Sequence, residues 1–268
     1  MPASRSRSPS KDTRPAPSRQ RPYAAFVLIG LAGVLAVLIA ALPASLLTRL
    51  LPPGVEAGDL SGNFWHGAAG KLKVNGRDAG AVEWQLHPRW LALDADLHWV
   101  KGSFALDAAA RLDRGGIGAH DIRGGGPIDE LRDLSLAPGW HGTAAVAIDK
   151  LTADRARLVA LGGEIRIADL GGPQIAGGAD LGSYVLRFAD TAVAADGSVT
   201  GSLSDSGGPL QVQGTLQLTP QNRSGLLSAT LSERAGAPAE VHRELDMLAQ
   251  MRGRDPQGRI PLDLEFTF

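Results

Sequence analysis

The sequence predicts a mainly β protein: one transmembrane helix near the N-terminus, then an antiparallel β-sheet domain with one or two short helices. Three observations predict it. Apolar and polar residues alternate with period two in one run after another beyond residue 54. Glycine, 34 of 268 residues, punctuates those runs as turn residues do between many short strands. One long apolar stretch, between Arg21 and Arg49, carries no charge at all.

That stretch reads AAFVLIGLAGVLAVLIAALPASLL from Ala24 to Leu47. As a helix, Ala24 to Leu42 would be roughly 28 Å long, enough to cross a hydrocarbon core. In lipid each peptide group must bond within its own segment, so one spanning helix is expected, with Ala24, Phe26, Leu28, Leu31, Leu35, Leu38 and Leu42 as anchor residues. Pro43 cannot continue the ladder and marks the outer end. A cleaved signal peptide is the rival reading, but a cut after Ala44 would put the bulky Leu42 at the −3 position. The expected organisation is a basic tail over residues 1–21, an anchor over 22–48 and a β-rich domain over 49–268.

The tail sets the orientation. It is rich in Arg, Ser and Pro with little apolar to bury, so it is expected to be disordered. Residues 1–21 hold six of the 27 basic residues and one of the 28 acidic ones, leaving 21 basic against 27 acidic beyond them. A short segment with that excess stays in the cytoplasm, which places the bulk of the chain in the periplasm, on an inner membrane.

Within the domain, Leu72 and Val74 alternate with Lys71, Lys73 and Asn75, and Asn75-Gly76 signals a hairpin. Val82, Trp84 and Leu86 share the next strand face, opposite Glu83, Gln85 and His87, and His87-Pro88 is expected to end that strand. Leu91 to Trp99 and Phe104 to Ala108 repeat the rhythm, which gives an antiparallel meander. Arg114 to Pro127 looks too glycine-rich for more than a short strand, and Ile128–Leu136 and Leu151–Leu161 are expected as short helices. Strands resume at Glu164–Ile167, Tyr184–Phe188, Ser198–Leu203 and Leu210–Leu218. Val241, Leu245 and Leu248 follow at helical spacing, and Ile260 to Phe268 closes the chain as a strand. Meanders near 60–112 and 163–232 have similar lengths but share no residue-level repeat.

Little in the sequence speaks for catalysis. Cysteine is absent, which removes thiol chemistry, cysteine metal sites and disulfides together. The six histidines make no metal-ligand spacing, and neither a GxSxG elbow nor a GxxxxGK[ST] loop occurs. The glycines at 115, 116 and 118 begin like a dinucleotide loop but lack its strand–helix context. Asp94 and Asp96 share a strand face, as solvated sheet carboxylates often do. With near-neutral overall charge there is no basic patch to suggest nucleic acid. No enzyme, metal or cofactor is expected. Candidate interaction residues are Trp65 in the turn-like GNFWHG, Leu210, Val212 and Leu216 of one strand, and Ile260, Leu262, Leu264 and Phe266 of the terminal one, provided those strands lie at a sheet edge.

LPASLLTRLLPPGVEAGDLSGNFWHG, GAVEWQLHPRWL, LGSYVLRF, DGSVTGSLSDSGGPLQVQGTLQL and APAEVHRELDMLAQMRGRDPQGRIPLDLEF occur in that order. In this series the chain resembles protein N of the bacterial type II secretion system, from about Ala24 to the C-terminus. The resemblance implies a single-pass inner-membrane component of the machine that exports folded proteins, acting with the inner-membrane platform proteins and the outer-membrane secretin and carrying no catalytic residues. In architecture the family also resembles AsmA-like envelope proteins, whose curled β-sheets handle lipids. That leaves a carrier of lipid or another hydrophobic ligand as the alternative.

Overall fold

The computed structural model describes residues 42–49, 51, 53–133, 139–154, 157–172, 180–190 and 193–267. The predicted tail and the anchor residues Ala24 to Leu38 lie outside them. No helix among the described residues is long and apolar enough to cross a membrane.

The strands are β1 (Val55–Gly62), β2 (His66–Val74), the two-residue β3 (Arg77–Asp78), β4 (Ala81–Arg89), β5 (Ala92–Lys101), β6 (Phe104–Asp113) and β7 (Gly116–Pro127). They continue as β8 (His141–Asp154), β9 (Arg157–Gly171), β10 (Asp180–Phe188), β11 (Val199–Gly207), β12 (Leu210–Thr219), β13 (Ser224–Glu233) and β14 (Ile260–Thr267). Apart from β3, which pairs only with β2, they form one antiparallel sheet in chain order from β1 to β14. Neither β1 nor β14 closes it, and the strands touch their neighbours in the sheet and little else. The two expected meanders are therefore parts of one.

Among the described residues the helical pieces are few: 3-10 turns at Ala44–Arg49, Ile128–Leu131 and Pro220–Asn222, and one α-helix, α1 (Ala239–Arg252). As the i, i+4, i+7 spacing predicts, α1 turns Val241 and Leu245 inward with Leu248 beside them, and packs on Leu210, Val212, Ala229 and Ile260. Val241 and Ile260 are almost wholly buried, at 2% and 0% exposure. Burying a side chain of that size contributes roughly 1.5–3 kcal/mol. The helix stops at Gly253, whose positive φ no other residue adopts as easily.

Register follows from the turns. Asn75 and Gly76 both take positive φ, 52° and 78°, the pair of left-handed residues that a two-residue hairpin needs. Four expectations are corrected. β4 does not end at His87-Pro88; Pro88 pairs with Leu93 inside the strand. Leu86 donates its N–H to Trp65 on the β2 side, so Pro88, two residues on, turns its ring nitrogen the same way, beyond the end of β2, where no ladder bond is needed. The glycine-rich segment is a full strand, β7, because Gly124, Gly125 and Gly126 keep φ between 149° and 158° with neighbouring backbone too close for a Cβ. Leu151–Leu161 is no helix. It is the end of β8 and the start of β9, with register shifts that disguise the alternation. Within Ile128–Leu136 only Ile128–Leu131 forms a 3-10 turn, and residues 134–136 lie outside the described set.

The compact unit begins at Leu42. The Leu42 carbonyl accepts the Phe64 N–H at 2.8 Å and Pro43 bridges Asn63, so the chain enters the unit beside the β1–β2 turn.

Candidate interaction surface

The period-two alternation gives this sheet two chemically distinct faces. Direct partners across an antiparallel ladder share a face. One row runs Leu60, Ala69, Val82, Trp99, Leu106, Gly124, Val146, Ile165, Leu186, Leu203, Gly214, Ala229, Leu262. It crosses all thirteen strands of the path without one charged side chain, and its one side-chain donor is the indole of Trp99. The neighbouring strand positions run Glu83, His98, Asp107, Arg123, Ala147, Glu164, Arg187, Ser202, Thr215, Ser228, Asp263 on the other face.

Ion pairs stitch the polar face across strands. His98 bonds Asp107 at 2.6 Å, His87 bonds Asp96 at 3.1 Å, and Arg123 reaches Asp149. The hydrogen bond from Arg187 to Glu164, together with Arg166, holds the Glu164 carboxyl below its ordinary range. Such exposed pairs contribute little to stability. A groove of about 620 Å³ lies over this face, lined by His66, Glu83, Asp96, His98 and Asp107 among others. Among the described residues no group of three His, Asp or Glu side chains is placed to hold a metal ion.

The expected interaction residues separate by position. Leu210, Val212 and Leu216 lie on β12, which is paired on both sides by β11 and β13, so that strand is not an edge. Leu210 and Val212 are core residues under α1. The terminal strand does lie at an edge: β14 pairs with β13 alone. Burial falls along it, with Ile260 enclosed, Leu262 half-buried, and Leu264 and Phe266 at 44% and 41% exposure. Trp65 sits half-buried in a turn fixed by Asn63, whose Oδ1 accepts the N–H groups of Trp65 and His66. Its ring meets Phe64 edge-on at 5.1 Å, and Trp84 donates its indole N–H to the Phe64 carbonyl. Trp99, on the apolar phase, likewise donates to Ala79. The exposed tips Trp90 and Leu91 were not singled out from the sequence, where one aromatic beside a proline carries no signal of its place in the sheet.

A long, unclosed antiparallel sheet with an apolar and a polar face and a terminal strand at each edge defines a protein that presents surface and edge. The family model for type II secretion system protein N matches residues 53–263. The chain belongs to that family, and with it to the type II secretion machinery. No curated protein and no solved structure matches it.

Proposed function

We infer that this chain is a non-enzymatic, single-pass inner-membrane component of the type II secretion system, with its N-terminus cytoplasmic and its β-domain periplasmic. It assists assembly or stabilisation of the export machinery by contacts with platform proteins and the secretin. The observation that carries the reading is the family match over residues 53–263. The apolar run before residue 42 and the basic tail support the placement. The contact is made at β14, where an unpaired edge offers backbone hydrogen bonds and Leu264 and Phe266 offer apolar side chains to an added strand.

A second reading, a carrier of lipid or another hydrophobic ligand, draws on the uninterrupted apolar row across the sheet. The grooves lined by His66 and Glu83, and by His87 and Arg111, open on the polar face and count against it. Purification of the tagged full chain from mildly solubilised membranes separates the two. Secretin or platform subunits in near-stoichiometric yield, without lipid, support the assembly role. Stoichiometric lipid that survives delipidating washes, with no secretion subunit, overturns it in favour of the carrier.

A further inference from the structure

In a meander every second turn lies at the same end of the sheet. The β1–β2, β4–β5, β6–β7 and β8–β9 turns therefore share one end, while α1 and the Ile128–Leu131 turn lie at the other. Leu42 and Pro43 join the β1–β2 turn, so the chain arrives from its apolar N-terminal stretch at that same end.

The hairpin tips at this end finish level. Arg89 pairs with Ala92, Asp113 with both Ala92 and Gly116, and Asp154 with Arg157. One residue inward, Pro88, Leu93, Leu112, Ile117, Ala153 and Leu158 form a single row on one face. This margin is unusually apolar for a rim of turns. Trp90 is 96% exposed, Leu91 and Ile117 58%, and Leu112 48%. Trp90 and Leu91 form the β4–β5 tip, which runs past the neighbouring end of β2, since β4 continues three residues beyond Leu86, its last hydrogen bond on the β2 side. Among the described residues of this rim, Arg89 and Arg111 pair with Asp94, and Arg114 and Arg157 stand beside Asp113 and Asp154.

We propose that this end of the sheet is a membrane-docking surface: Trp90, Leu91, Leu112 and Ile117 enter the interfacial layer of an anionic phospholipid bilayer, and Arg114 and Arg157 meet lipid phosphates. Three arguments select a bilayer as the occupant. The chain enters the unit at this end directly from a run of apolar residues long enough to span one. An indole on a protruding tip suits the boundary between acyl chains and headgroups. Arginine at the same level extends its stem along apolar surface and its guanidinium to phosphate, and such charges are attracted to an anionic surface. Docking holds the sheet upright on the membrane, with its two free edges running away from it.

The proposal rests on the anchor reading of residues 24–42, and one experiment tests the two separately. The chain has no cysteine, so single labels are unambiguous. Full-length Ala32→Cys, Leu91→Cys and Ser103→Cys variants, each carrying an environment-sensitive fluorophore, are reconstituted in phosphatidylethanolamine–phosphatidylglycerol vesicles with nitroxide-bearing lipids. Ser103 lies in the β5–β6 turn at the opposite end. The expected result is quenching and a blue-shifted emission at positions 32 and 91, with residue 103 water-like and unquenched. Quenching at 32 alone leaves the anchor standing and overturns the docking surface. Quenching at none of the three overturns both, and equal quenching at 91 and 103 overturns the oriented docking.

Discussion

The ring of Phe266 lies over Gly225, its direct partner across the β13–β14 pair, and fills the space that a side chain at Gly225 would need. An aromatic covering a glycine in this way secures an edge strand that has only one neighbour. The same arrangement leaves part of the ring at the surface.

Phe266→Ala is accordingly expected to loosen the end of β14 without unfolding the domain. Amide exchange should accelerate over residues 263–267 while global stability falls by about 1 kcal/mol or less. Exchange measured by mass spectrometry at peptide resolution decides it; an unchanged profile would show that the ring secures nothing.

The core end of the same strand should behave differently. Ile260 is fully buried against α1, whereas Leu264 is nearly half exposed. Ile260→Ala should cost about 2–5 kcal/mol and Leu264→Ala about 1 kcal/mol or less, read from urea unfolding midpoints. Similar costs at both positions would mean that β14 has no division between a structural half and an available half.

Glycine in β7 makes a sharper test of the sheet. A Cβ on Gly126 would lie 2.6 Å from both Phe104 Cα and Ser103 O, at φ 155°. Both are backbone atoms and neither can turn aside. Gly126→Ala should destabilise by about 2–4 kcal/mol, while Gly118→Ala, whose Cβ meets nothing closer than 3.9 Å, should stay within about 0.5 kcal/mol. Equal effects would contradict the β7 register.

His242 on α1 donates from Nδ1 to Glu233 of β13 at 2.7 Å and faces Asp246 at 3.2 Å, with Arg254 opposing. The Glu233 hydrogen bond and the nearby carboxylate raise its pKa above the ordinary 6.5. A raised folded-state pKa gives stability that is fully present below the unfolded value and is lost as pH rises through the folded one. The difference in stability between the natural chain and His242→Gln should therefore be fully present below about pH 6.5 and shrink as pH rises above it. A difference that grows with pH would contradict the pairing.

The sequence showed the strands whose two faces differ. β4, β5, β12 and β14 alternate cleanly because one side packs and the other meets solvent. β7 was hidden because its Gly124-Gly125-Gly126 run has no side chains with which to alternate. Leu151–Leu161 was hidden because register shifts between Ile148 and Lys150 and between Thr152 and Ala153 break the period. The edge position of β14 and the interior one of β12 could not be read locally, since being an edge depends on which strands are missing beside it. The apolar rim was equally hidden: Trp90, Leu112 and Ile117 are separated in the chain and meet only through the β4–β7 register.

The account's central claim is that the β14 edge joins the chain to its secretion machinery, and site-specific photo-crosslinking in cells tests it most directly. A photoreactive residue at position 264 is compared with one at Met247, which is exposed on α1. The account predicts that position 264 captures a platform subunit or the secretin and that position 247 does not. Failure at 264, in cells where the full chain still co-purifies with those subunits, would contradict it.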